Sequence, residues 1–338
     1  MRPRPLLALA AATAMAFAAL TAPAQAQVPT PALGWPTVDP RPSNAAIGTE
    51  LAKLAKQSHG RIAVRSIGDT NLGQPVWAAR VGTGPVRIQY VTQQHGNEPL
   101  GTPAAIEFLR TVGVGNTLWQ KWLRTRVTVD VVVRANPDGH DQDWRFNYDP
   151  EADPEYGEAG KGYDINRYHN PDMAPEDNPA TEAGHIQRAF GEFDPAITID
   201  FHMQGRYLGD DGREITASLL WPTNPGVAPE LVDSAKQVAV VAQQTIDHLA
   251  RGNVSQYPGG DYEGIARNAY GLRGATSVLL ELSDIDDEQS QIRGAYLTML
   301  TVAQTAADGS LNRIDPARAD AIPPRGDPIG ARTIDSAD

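Results

Sequence analysis

Four apolar runs, each leading into a polar side chain able to do chemistry, constrain this chain more than any other feature of its sequence. Val86-Arg87-Ile88-Gln89-Tyr90-Val91 alternates apolar and polar positions as a half-buried strand does, and it runs into Gln94-His95-Gly96-Asn97-Glu98. Val127 to Val133 leads to Asn136-Pro137-Asp138-Gly139, which reads as a turn. Ile197-Thr198-Ile199-Asp200-Phe201 delivers His202, and Ser277-Val278-Leu279-Leu280 delivers Glu281. Such runs predict strands with reactive groups gathered at their carboxyl ends, where open α/β sheets build ligand sites. Thr102-Pro103 reads as the N-cap and first turn of a helix from Ala104 to Val112, so His95 and Glu98 fall on a strand-loop-helix corner.

A His and a Glu three positions apart can close on one metal ion from a tight loop. Alone the pair is a weak signal, because seven histidines in the chain make a chance match ordinary. A histidine taken singly is more often structural than a ligand, and Arg145 and Arg167 taken singly are ordinary solvated loop residues. Glu281 differs, since a carboxylate inside an apolar run is costly to bury unless it is paired or used.

The ordered set of motifs resembles the zinc metallocarboxypeptidases, the funnelin family related to carboxypeptidase A, from about Thr49 to Ala306. The resemblance implies one zinc ion per chain, held by His95 and Glu98 as the family's His-x-x-Glu pair and by His202 as the third ligand. It implies that Glu281, in Leu280-Glu281-Leu282, is the general acid/base, and that Arg145, in Trp144-Arg145-Phe146-Asn147, polarises the scissile carbonyl. Asp164-Ile165-Asn166-Arg167 resembles a segment in which Asn166 and Arg167 hold the substrate's terminal carboxylate and Asp164 supports His95. Tyr257, before Gly259-Gly260, is similar to the tyrosine that caps the substrate, with Tyr262 as the alternative. Ile67-Gly68 and Gly73-Gln74-Pro75 are similar to the family's entry strands.

The implied chemistry is self-consistent. Zinc with three protein ligands keeps a fourth position for water and brings that water's pKa to about 7. Glu281 would take the water's proton and hand it to the leaving amine, while Arg145 would meet the charge that develops on the carbonyl oxygen. A guanidinium fork suits a planar carboxylate, so Asn166 and Arg167 point to peptide or protein C-termini as substrates. Asp164 would accept the free ring N–H of His95. Two other readings are a zinc-dependent deacylase of N-acyl amino acids, whose relatives share His-Gly-Asn-Glu, and a non-catalytic zinc-dependent peptide-binding protein. Arg145 and the Asn166-Arg167 pair favour the peptidase over the first, and the presence of Glu281 speaks against the second.

Residues 1–26 read as a signal peptide: Arg2 and Arg4 precede an apolar stretch, and Ala24-Gln25-Ala26 is a cleavage motif. This predicts a secreted protein with no stable membrane association after cleavage. With no cysteine, oxidising conditions add no disulfide, and thiol chemistry is excluded. The net charge of −12 disfavours nucleic acid as a partner. Residues 27–44 are Pro-rich and read as an extended leader, and residues 45–307 read as the catalytic domain, expected to act as a monomer. Strand and helix patterns alternate through that stretch, predicting a single α/β domain with a central mixed, mostly parallel sheet and helices on both faces. Residues 308–338, with four prolines, read as a loosely ordered tail.

Overall fold

The structure, a computed structural model, describes residues 37–330. The expected signal peptide and the first ten residues of the leader, 27–36, lie outside the described residues. No helix among the described residues is long and apolar enough to cross a membrane.

Ser43 opens helix α1 (Asn44–Gln57), its hydroxyl accepting from the backbone N–H of Ala46, so the first helix among the described residues starts at the end of the expected leader. Ile47, Leu51 and Leu54 recur every three or four residues and form the buried stripe of α1. The strands β1 (Ile62–Asp69), β2 (Pro75–Gly82) and β3 (Val86–Thr92) follow, and β3 runs through the metal-site loop into α2 (Gly101–Leu109). After α3 (Leu118–Arg124) comes β4 (Val127–Val132), then α4 (Pro137–Gln142) and a long loop with a two-stranded hairpin of β5 (Gly157–Glu158) and β6 (Gly162–Tyr163). The chain continues through α5 (Thr181–Phe193), β7 (Ile197–Gln204), β8 (Ala217–Leu220), α6 (Pro229–Gln244), β9 (Val254–Gln256), α7 (Ala266–Leu272), β10 (Thr276–Ser283) and α8 (Glu288–Asp308).

Eight strands form one sheet in the order β1-β2-β4-β3-β7-β10-β8-β9. The central run β4-β3-β7-β10 is parallel, while β1, β2 and β8 join antiparallel. Every residue of β7 and β10 is buried, as expected for parallel strands covered on both faces. Ile197, Ile199 and Phe201 of β7 and Val278, Leu280 and Leu282 of β10 pack into the larger core with α1, α2, α6 and α8. The opposite face carries a smaller core with α5 and α7, built on Ala183, Ile186, Phe190 and Tyr270. Side chains alternate along a strand, so the intervening Asp200, His202 and Glu281 emerge on that second face.

Three local expectations are corrected. Thr102 is not the N-cap of α2: the helix begins at Gly101, and the Thr102 hydroxyl instead donates to Oε1 of Gln93 at 2.8 Å. Asn136-Pro137-Asp138-Gly139 is a helix start, in which the Asn136 side chain caps α4 by accepting from Gly139 N at 2.8 Å. The C-terminal stretch is packed as far as it is described. It forms short 3-10 turns at Leu311–Arg313 and Pro316–Ala321, and Leu311, Ala319 and Ile322 are buried in the larger core. Four prolines suggest looseness, but the apolar residues between them decide the outcome.

Candidate metal centre and substrate cleft

The metal-site loop starts with strained backbone. Gln93 follows β3 with φ of 57°, in the left-handed region, and its side chain secures the bend. Its Nε2 donates to the carbonyl of Gly96 at 2.7 Å, and its Oε1 accepts from Thr102 and from Nε of the fully buried Arg134. A Cβ on Gly96 would lie 2.0 Å from the carbonyl carbon of Gly139, so only glycine lets the loop close against α4. Asn136 adds two ties, donating to the carbonyls of Gln94 at 3.1 Å and Phe146 at 2.9 Å. Sequence reading missed the supports from Arg134, Asn136 and Gly139 because these residues lie about 40 positions further along the chain, as in the Gln93–Arg134 bond.

His95, Glu98 and His202 converge, and all three are buried. Nδ1 of His95 lies 2.7 Å from Oε1 of Glu98, Nδ1 of His202 lies 2.9 Å from Oε2 of Glu98, and the two Nδ1 atoms are 3.0 Å apart. The far side of each imidazole meets a carboxylate: Nε2 of His95 is 3.0 Å from Oδ1 of Asp164, and Nε2 of His202 is 2.8 Å from Oδ2 of Asp200. Each carboxylate takes the ring N–H at Nε2 and leaves the Nδ1 lone pair facing inward. Three electron-pair donors therefore point at one small volume, which is repulsive without a cation between them. Tetrahedral zinc with bonds of about 2.0–2.1 Å would hold its ligands roughly 3.3–3.5 Å apart, so widening the set by about 0.3–0.8 Å would seat the ion. The residues fit zinc.

The charges agree with that reading. Burial pushes the Glu98 carboxyl up, but His95 and His202 outweigh it and hold it well below the ordinary carboxylate range. Burial likewise opposes ionisation of Asp164, and Arg145 with His95 reverses the effect. For His202, Asp200 and Glu98 overcome burial and raise its affinity for positive charge. Met203 N also donates to Oε2 of Glu98 at 2.9 Å, fixing the ligand to β7.

Asp200 belongs to a longer buried chain that sequence reading did not pick out. Its Oδ2 also accepts from Nε2 of Gln94; Oε1 of Gln94 meets Nε2 of His169 at 2.6 Å, and Nδ1 of His169 meets the Tyr270 hydroxyl at 2.9 Å. Burial pushes His169 down to about 3, so it is neutral at working pH. This row of polar side chains fixes the ring plane of His202 from α7.

The other expected site residues divide cleanly. Arg145, Asn166, Arg167, Tyr257 and Glu281 line one cleft with His95 and Glu98. Nε of Arg145 donates to Oδ2 of Asp164 at 2.9 Å, and its Nη1 lies 3.7 Å from Glu98. The 3-10 turn Ile165–Arg167 presents Asn166 and Arg167; Asp164 caps it by accepting from Asn166 N at 3.0 Å. Oδ1 of Asn166 accepts from Ala266 N at 2.9 Å, joining the turn to α7. Glu281 stands opposite His202 in the β7–β10 ladder. Tyr262 goes elsewhere, packing its ring against Tyr156 with centroids 4.8 Å apart. The ring of Tyr257 is covered by the guanidinium of Arg325, 4.7 Å from its centroid, a contact supplied by the packed C-terminal stretch.

The fold is shared with known proteins. Residues 47–209 match the model of a family described as zinc carboxypeptidase. A metallo-carboxypeptidase from Burkholderia cenocepacia superposes with a TM-score of 0.61 at 16% identity, over 79% of this chain and 69% of that one. Bovine thrombin-activatable fibrinolysis inhibitor, solved with tick carboxypeptidase inhibitor, gives a TM-score of 0.61 at 15% identity, over 80% and 98%. Carboxypeptidase A from Helicoverpa armigera gives 0.57 at 18%, over 82% and 74%. None of the curated proteins matches the chain. Fold and metal centre thus define a zinc-dependent hydrolase of the α/β carboxypeptidase type. The match over residues 47–209, the fold and the buried His95–Glu98–His202 set mark the chain as similar to the zinc metallocarboxypeptidases.

Proposed function

We propose that the protein is an exported enzyme that removes single residues from peptide C-termini, with His95, Glu98 and His202 holding its zinc. When bound there, zinc supplies a Lewis acid and an acidified water. Glu281 takes a proton from water and delivers it to the leaving amine, a role suited to a carboxylate beside the metal ligands. Arg145, held by Asp164, faces the carbonyl oxygen as it gains charge and so favours the transition state over the bound substrate. Asn166 and Arg167 bind the terminal carboxylate and set the cut one residue from the chain end. Tyr257 covers the docked residue. The observation that carries the reading is that Glu281, Arg145 and the Asn166–Arg167 pair line one cleft with two of the three metal ligands. Export rests on residues 1–26 alone.

The test compares one peptide with a free and an amidated C-terminus. Loss of a charge-assisted hydrogen bond costs about 1.5–3 kcal/mol, so the amide should be cut roughly tenfold to a hundredfold more slowly, and Arg167→Ala should narrow that gap with zinc still bound. Equal rates with internal fragments as products would overturn the exopeptidase reading. Turnover of acyl-amino acids with no release from peptides would favour the deacylase.

A further inference from the structure

We propose that Arg325, on the C-terminal stretch, is a positioning residue that holds Tyr257 against the cleft before substrate arrives; this rests on the reading of Tyr257 as the cover of the docked residue. The stretch is laid between β9, which ends one residue before Tyr257, and the loop that follows the metal-bearing β7. Towards β9, Gln256 N donates to the carbonyl of Pro323 at 2.7 Å and Arg325 N to that of Gln256 at 3.2 Å. Towards the loop, Gly326 N donates to the carbonyl of Leu208 at 3.0 Å, Leu208 N to that of Asp327 at 3.0 Å and Ile329 N to that of Arg206 at 2.8 Å. A Cβ on Gly326 would lie 2.3 Å from the carbonyl oxygen of Leu208, so glycine permits this close approach.

That path brings the Arg325 guanidinium between two aromatic rings. Its carbon lies 3.8 Å from the ring centroid of Tyr207 and 4.7 Å from that of Tyr257, so one cation faces both. Nη1 donates to Oε1 of Gln204 at 3.0 Å, two residues past His202. Tyr207 and Gln204 are buried, and Nε2 of Gln204 donates on to Oγ of Ser283 at 3.1 Å. The guanidinium therefore stands on a fixed base, and Tyr257 is the partner that lines the cleft.

The backbone of Tyr257 is anchored, its N–H donating to the carbonyl of Leu219 at 2.9 Å, so the ring changes place by turning about its own side-chain bonds. A planar cation against the ring face selects one of those rotamers. A cover already in place spares the substrate the entropy of ordering it, which shows as tighter binding rather than faster chemistry. The plainer role of the stretch is to shield the edge strand β9 from pairing with other chains. Backbone bonds accomplish that, with no need of an arginine between two tyrosines.

The experiment measures kcat and KM of the zinc-loaded enzyme on peptides ending in Glu, Leu or Lys, for the wild type, Arg325→Met, Tyr257→Leu and the double variant. Arg325→Met should raise KM about three- to tenfold with kcat within about twofold, alike for the three peptides, as a cation–π contact and the order it imposes are lost. In the Tyr257→Leu background the same substitution should change KM by less than about twofold, since the ring it positions is gone. An equal rise in both backgrounds, or a rise confined to peptides of one charge, overturns the proposal, because Arg325 then acts on the whole domain or on substrate charge. A second measurement needs no Arg325 variant: three-bond couplings that report the Tyr257 side-chain rotamer in the substrate-free wild type. A single rotamer is expected, and averaged couplings, the mark of a swinging ring, overturn the proposal. Tyr257→Leu with unchanged kcat and KM removes the capping role and this proposal with it, whereas a raised KM there beside an unaltered Arg325→Met removes this proposal alone. Release from no peptide overturns the exopeptidase reading, and the couplings still decide whether the ring is held.

Discussion

Asp164 holds Arg145 with one carboxylate oxygen, Oδ2 at 2.9 Å from Nε, while its other oxygen faces Nε2 of His95 at 3.0 Å. A single buried carboxylate therefore orients both a metal ligand and the cation expected to meet the reacting carbonyl. Asp164→Asn keeps the size but loses the charge. Removing the partner of a ligating histidine typically weakens metal binding about 10–100-fold. Chelator competition should show a loss of that order in Asp164→Asn, and near-complete loss of zinc in His95→Ala, Glu98→Ala or His202→Ala. Wild-type affinity in Asp164→Asn would count against this coupling.

Glu281→Gln should separate metal binding from turnover. Glu281 is absent from the ligand set, so zinc content and melting temperature should stay near the wild type. Turnover on free peptides should fall by about a hundredfold or more, because general acid/base groups contribute roughly 10²–10⁴. Near-normal turnover by a zinc-loaded variant would remove Glu281 from the proton path.

Glu182 should make stability depend on pH. Burial pushes its carboxyl up from 4.5 to about 7; a hydrogen bond from Asn147 opposes the shift, and Asp138 and Asp149 add to it. Because the folded value is the higher one, this contribution is complete below about pH 4.5 and is lost as pH rises towards 7. The loss is on the order of 3 kcal/mol, at 1.36 kcal/mol per unit. Urea midpoints between pH 5 and 8 should fall more steeply for the wild type than for Glu182→Gln, and parallel curves would refute the assignment.

Asn136→Ala should damage the site without touching it. The substitution strips the cap from α4 and leaves the carbonyls of Gln94 and Phe146 without that donor. A lost cap and newly unsatisfied buried groups together cost about 2–4 kcal/mol. Thermal unfolding should register this, and zinc affinity should drop as the His95 loop loosens.

The parts of the site that lie on regular strands were legible in advance. Alternation in Ile197-Thr198-Ile199-Asp200-Phe201 fixes the face of His202, the continuous apolar run before Glu281 marks a buried strand, and the loop after β3 places His95 and Glu98 nearby. Contacts between distant segments were not legible. Asp200, Gln94, His169 and Tyr270 look unremarkable one by one, and only the packing of α7 on the sheet joins them. Thr102 misled because a Thr-Pro pair marks many helix starts, whereas here the hydroxyl is taken by Gln93.

The ladder that sets Glu281 against His202 joins strands that are far apart along the chain, with β8, α6, β9 and α7 between them. All three metal ligands are in place by residue 202, while the proposed proton carrier comes 79 positions later (281 − 202) on a strand that wedges between β7 and β8. A chain clipped before β10 would keep all three ligand residues but would lack both Glu281 and the strand that pairs with β7 along its whole length. The proton carrier thus arrives with the strand that covers the edge of the metal-bearing one, so the ligand set and the proposed reactive carboxylate are joined only when the middle of the sheet is complete.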